Sequence, residues 1–176
     1  PPPGVPSRAR CPAGMTRAAS RGVQVEQHAR LDEGGAGRVQ DACLRNVRLI
    51  FDYSVNPDSN LVIGEVVNYP GRWSSYPPHH HDQPEIYHYR FTKPQGFGHA
   101  ELGDEVFKVQ HNDTIVIPPQ LDHAQVSAPG YGMWYLWVIR HLDGNPYTGF
   151  EFTEDHAWTL SPDDQGWKPE EPKKQP

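Results

Sequence analysis

Pro77-Pro78-His79-His80-His81-Asp82-Gln83-Pro84-Glu85 is the stretch of this 176-residue chain whose reading decides its fold. In an extended strand alternate side chains share a face, so His79 and His81 point one way and His80 the other. Glu85 has the same parity, and a strand resuming without a bulge would bring its carboxylate to the two imidazoles. Imidazole nitrogens and a carboxylate on one face suit Zn, Mn, Fe or Ni. Three adjacent histidines taken alone fit a solvated loop or an adventitious metal patch as well as they fit a built metal site. A ligand from elsewhere separates the two readings. Pro118-Pro119-Gln120-Leu121-Asp122-His123 offers one, placing His123 just after a turn that follows the apolar run Thr114–Ile117. The expectation is one divalent metal ion held by His79, His81, Glu85 and His123. His88, His99, His111 and His141 read as surface or hydrogen-bonding residues.

Working outward, residues 47–51 and 61–67 read as a strand pair around the turn Asn56-Pro57-Asp58-Ser59-Asn60. Glu85–Phe91, Glu105–Gln110, Thr114–Ile117 and Met133–Arg140 are further strands, with turn residues between them at intervals of roughly ten. No helical pattern of ten or more residues appears, and many short strands with regular turns mean a sandwich or a barrel. Hydrophobic residues make up 36% of the chain and mean hydropathy is -0.74, values that average a folded middle with polar, Pro-rich ends. Residues 1–40 read as a flexible arm, with His28 in it, or as the remnant of an upstream domain. Order is expected from near Leu44. Residues 41–160 form the barrel and 161–176 a polar tail. The chain opens without a methionine, which fits a fragment or a processed form, and its start lacks the apolar core of a signal peptide. No internal repeat is evident.

Net charge is -6 and no run of Lys or Arg resembles a phosphate-binding stripe, which argues against a nucleic-acid partner. No stretch approaches the ~18 apolar residues of a membrane helix. Cys11 and Cys43 fit no metal or redox spacing. Two free thiols, rather than a disulfide, place the chain in the cytoplasm.

The pattern HxH, three residues, then Glu, and later P-x-x-x-x-H resembles the two metal motifs of the cupin superfamily. The run Gly71-Arg72-Trp73-Ser74-Ser75-Tyr76-Pro77-Pro78-His79-His80-His81-Asp82 is more specific. With Glu85–Phe91, Pro94-Gln95-Gly96-Phe97-Gly98, Ala128-Pro129-Gly130-Tyr131, Tyr135-Leu136 and Asp155-His156-Ala157-Trp158, it closely resembles the 5-deoxy-glucuronate isomerase (KduI/IolB-type) family. The resemblance covers residues 45–158. It implies a cupin-type double-stranded β-helix, an all-β jelly-roll barrel bearing a single metal site. It also implies a metal-dependent aldose–ketose isomerase acting on a deoxy-uronate sugar acid in inositol catabolism. Members of that family are usually two-cupin chains, and here only the metal-bearing half is evident. The segment after Gly98 is shorter than the family pattern, and Trp137 stands where that pattern has a small polar residue.

Within that reading Tyr87 and Tyr89 share Glu85's parity and face the interior, as substrate-binding and catalytic candidates or as core aromatics. Lys93 and Arg90 are cations for a sugar-acid carboxylate, or are solvated. Tyr76, Gln95 and Asp122 are further polar candidates, while Tyr135 and Trp137 form an opposite wall for a sugar ring. His156 is a candidate acid or base, or else part of a solvated turn beside a Trp158 plug. The expected partner is a small sugar acid, and a homo-oligomer is compatible with the arm lending a strand to a neighbour. Three histidines and a glutamate on Fe or Mn also serve cupin dioxygenases, and a non-catalytic sugar-acid binder is the third reading.

Overall fold

A computed structural model describes residues 30–170. Most of the expected arm, with Cys11 and His28, lies outside the described residues, as does the end of the polar tail. The strands are β1 (Arg30–Gly34), β2 (Arg45–Phe51), β3 (Leu61–Asn68), β4 (Trp73–His80), β5 (Glu85–Phe91), β6 (Phe97–Leu102), β7 (Glu105–Gln110), β8 (Thr114–Ile117), β9 (His123–Ser127), β10 (Met133–Arg140) and β11 (Glu151–Phe152). Two 3-10 segments, Val39–Asp41 and Glu154–Leu160, complete the ordered elements among the described residues. No helix there is long and apolar enough to cross a membrane.

One sheet runs β1-β2-β3-β10-β5-β8 and the other β11-β4-β9-β6-β7, with every pairing antiparallel. Consecutive strands repeatedly change sheet, which is the double-stranded β-helix of a cupin barrel. Burial follows the period of two. Glu85, Tyr87, Tyr89 and Phe91 of β5 are buried while Ile86 and Arg90 face out. β3 alternates likewise, through Val62, Gly64, Val66 and Asn68. The core between the sheets gathers Tyr87, Tyr89, Phe91, Met133, Tyr135 and Ile117.

β5, β7, β8 and β10 occupy the spans expected from their apolar patterns. The sequence does not announce β4, which carries Pro77 and Pro78. Its pairing with β9 breaks register between Ser74 and His79, so the prolines fall where no ladder donor is needed. β6 is hidden by Gly98, where a Cβ would lie 2.6 Å from the Val126 carbonyl oxygen. Order also begins earlier than Leu44. β1 pairs with β2 from Arg30↔Leu49 to Gly34↔Arg45. Its sequence, Arg-Leu-Asp-Glu-Gly, has no apolar alternation, because the pairing is carried by the backbone. At the other end the tail folds back, Gln165 Nε2 donating to the Gly37 carbonyl at 3.1 Å.

Candidate metal centre

His79 and His81 reach the barrel interior at the end of β4 and in the link that follows, and Glu85 opens β5. The chain changes sheet between them, so the three converge because a corner folds them together. They do not lie on one uninterrupted strand, as the parity argument assumed. Glu85 is held between Ile117 of β8 and Ile139 of β10, in the middle of its sheet. His123 opens β9 directly opposite His79, which puts both rings on one face.

The ligating atoms of His81, Glu85 and His123 all lie within 4.8 Å of one another, and all three residues are buried. His81 Nε2 is 3.2 Å from Glu85 Oε2. His123 Nε2 is 3.4 Å from the same oxygen but has no hydrogen bond. His123 Nδ1 donates to the Leu121 carbonyl at 2.9 Å, which leaves the Nε2 lone pair facing the carboxylate. His79 stands slightly apart. Its ring centroid is 4.2 Å from that of His123, yet no nitrogen of it enters the three-residue group. Burial, then the neighbouring His123 and His81, lowers its pKa to about 2, so the ring is neutral with one nitrogen lone pair available. Its Nδ1 has no hydrogen-bond partner. His80 faces away, its Nδ1 2.6 Å from Asp122 Oδ1. That contact also takes Asp122 out of the interior.

A carboxylate only 3% exposed, with two imidazoles beside it and no Lys or Arg paired to it among the described residues, is costly to bury. A divalent ion shared by Glu85, His81 and His123 would remove that cost. The donor set therefore fits the metal that the fold family implies, with His79 in reach as a fourth ligand.

Beside this group opens a cavity of about 660 Å3 of free space including its mouth. Tyr76, Tyr87, Tyr135 and Trp137 line it. Burial, followed by the negative Glu85, raises the Tyr87 hydroxyl well above the usual phenol range. Tyr135 is likewise raised by burial, and its hydroxyl lies 2.6 Å from Ser74 Oγ.

Other expected site residues are elsewhere. Arg90, Lys93 and Gln95 are exposed and do not line the cavity, because β5's outward parity and the following turn carry them to the surface. Tyr89 is fully buried behind the cavity, its hydroxyl donating to Gln125 Oε1 at 2.7 Å. His156 is exposed in its 3-10 segment, its ring 6.3 Å from Tyr76, against a separate shallow pocket. Trp158 is 48% exposed and plugs nothing.

Four polar lining residues escape the sequence reading: Arg38, Arg45, Ser75 and Tyr147. Parity on β2 could have exposed Arg45, whose side chain alternates with the outward Arg48. Tyr147 comes from a loop with no periodic signal. Its ring meets His81 edge-on at 5.0 Å, and burial plus Glu85 raises its pKa.

A family model described as the KduI/IolB family matches residues 9–159. The chain is 32% identical over 141 residues to a 5-deoxy-glucuronate isomerase of Shouchella clausii, covering 67% of this chain and 49% of that protein. It is 29% identical over 172 residues to one of Geobacillus kaustophilus, covering 88% of this chain and 56% of that one. It thus spans about half the length of the curated relatives it matches. The crystal structure of an IolB-like protein from Salmonella typhimurium superposes with a TM-score of 0.67 at 28% identity, covering 77% of this chain and 54% of that one. A cupin-like protein from Thermotoga maritima, at 19% identity and a TM-score of 0.51, shares the fold.

Proposed function

Because the chain belongs to the KduI/IolB family, we propose that it is a metal-dependent aldose–ketose isomerase of a 5-deoxy-glucuronate-like sugar acid, working in inositol breakdown in the cytoplasm. The observation that carries the metal is the buried Glu85 carboxylate, flanked by His81 and His123 with no Lys or Arg paired to it among the described residues. The relatives named as 5-deoxy-glucuronate isomerases support the substrate class.

A divalent ion bound by His79, His81, Glu85 and His123 supplies Lewis-acid stabilisation of charge developing on a sugar's carbonyl and hydroxyl oxygens. The remaining work falls to the lining. Tyr87 and Tyr147 are kept in the phenol form by burial and by Glu85, so they donate hydrogen bonds to sugar oxygens rather than remove protons. Tyr135 is tied to Ser74 and sets the floor. Trp137 and Phe150 give apolar faces that exclude water and meet a sugar ring. Tyr89 positions this wall from behind. Its partner Gln125 donates to Ser75 Oγ at 3.1 Å, and Ser75 lines the cavity.

The test is incubation of the purified chain with 5-deoxy-glucuronate, once without oxygen and once with it. Isomerisation that a chelator abolishes and a divalent ion restores is the expected result. Oxygen consumption would make the chain a dioxygenase. Binding without turnover under any divalent ion would make it a sugar-acid binder. Either outcome overturns the proposal.

A further inference from the structure

The metal-side residues account for one end of the cavity, where Glu85 sits. The opposite polarity comes from β2. Arg45 and Val47 share the face that lines the cavity, while Arg48, of the opposite parity, turns outward and pairs with Glu65. Arg45 Nη1 donates to the Cys43 carbonyl at 3.1 Å, which anchors one nitrogen of a guanidinium that has five N–H donors. Gly34 is its cross-strand partner on β1. A Cβ there would lie 3.1 Å from Arg45 Cζ, so the glycine leaves the space in which the guanidinium rests. Arg38, in the loop between β1 and β2, lines the same cavity.

Neither arginine has a carboxylate partner among residues 34–170, although both are half-buried. An arginine fork without an acidic partner, facing a cavity, matches a planar carboxylate in two parallel hydrogen bonds.

We propose that Arg45, supported by Arg38, is the carboxylate anchor of this cavity, so that its ligand is an anionic sugar and not a neutral one. This rests on the sugar-acid reading above and names the residues that would enforce it. Anchored at Arg45, a sugar acid would share the cavity with the aromatic lining and Glu85. The surface cations Arg90 and Lys93 have no part in it.

Calorimetric titration of the metal-loaded chain with D-glucuronate and with D-glucose, which differ only at C6, tests the anchor. D-glucuronate should bind at least ~10-fold more tightly than D-glucose, in line with a charge-assisted bidentate pair. Arg45→Met should lose ~10- to 100-fold for D-glucuronate and leave D-glucose unchanged, as one such pair commands. Arg45→Lys should recover part of the loss, Arg38→Met should lose less, and Arg48→Met should bind as the parent does. Should Arg45→Met fail to fold, Arg45→Gln removes the charge but keeps a donor, with the same loss expected. D-glucuronate binding unaffected by removal of the Arg45 charge, or a parent that does not distinguish the two sugars, would overturn the anchor. The isomerase reading fails separately. A chain that never turns over 5-deoxy-glucuronate but prefers D-glucuronate through Arg45 keeps the anchor and loses the isomerase. Turnover with an unchanged KM in Arg45→Met does the reverse.

Discussion

Gly64→Ala should damage both the fold and the cavity, because the indole of Trp137 lies where the new methyl group would go. Gly64 and Trp137 are cross-strand partners on β3 and β10. A Cβ at position 64 would sit 2.1 Å from Trp137 Cζ2 and 2.4 Å from Cε2. Carbon atoms pack at ~3.5–4.0 Å, so the ring must withdraw by about 1.5 Å or the strands must part. The indole lies over its cross-strand glycine and must move to admit a methyl group, and overpacking of this kind costs ~1–3 kcal/mol. For a chain of this length each kcal/mol is worth ~2–4 °C, so Tm should fall by about 2–12 °C. Trp137 also lines the cavity, so affinity for a sugar ligand should drop as the ring moves. Thermal melting of Gly64→Ala in the parent and in a Trp137→Leu background separates the steric cause from a general glycine effect. Without the indole the second loss should shrink to within ~0.5 kcal/mol, the ordinary limit of additivity. An equal loss in both backgrounds, or no loss in the parent, would refute the reasoning.

Two further perturbations address the centre and its support. In the metal-free chain Glu85→Gln relieves a buried charge, so its Tm should equal or exceed that of the metal-free parent. Only the parent should gain ~2.7 kcal/mol from a divalent ion at about 100 times its Kd, read as a rise in Tm. A metal-free Glu85→Gln chain melting well below the parent would contradict the account. Tyr89→Phe strands Gln125 Oε1 and should cost ~1–3 kcal/mol in a denaturant titration. Turnover should stay within a few-fold, and a large loss of turnover at unchanged stability would return Tyr89 to the catalytic group.

The strands that are legible in the sequence are those whose burial alternates, β5 above all, where Glu85, Tyr87, Tyr89 and Phe91 face in. β4 and β6 are obscured by prolines and a glycine whose reasons are tertiary: a register break opposite β9 and the close approach of Val126. β1 is invisible because backbone pairing leaves no mark on Arg-Leu-Asp-Glu-Gly. The histidine and glutamate residues at the centre could be read because donor type and close spacing restrict the choice, although a corner and not strand parity brings them together. The cations could not be read in the same way. Arg90 and Lys93 follow the metal motif in sequence, yet parity and a turn put them outside. Arg45 and Arg38 arrive from strands and loops far earlier in the chain. Proximity in sequence is a poor guide to a cavity assembled from both sheets of a barrel.

The metal centre is tested most directly by elemental analysis of the purified chain beside His81→Ala, with melting confirming that both are folded. His81 contributes the nitrogen that lies 3.2 Å from Glu85 Oε2, in a group that no Lys or Arg of the described residues joins. The parent should carry about one divalent ion per chain, as a single set of three histidines and a carboxylate holds, and His81→Ala should lose nearly all of it. Full metal occupancy in folded His81→Ala, or a parent that binds none of Zn, Mn, Fe or Ni, would contradict the account.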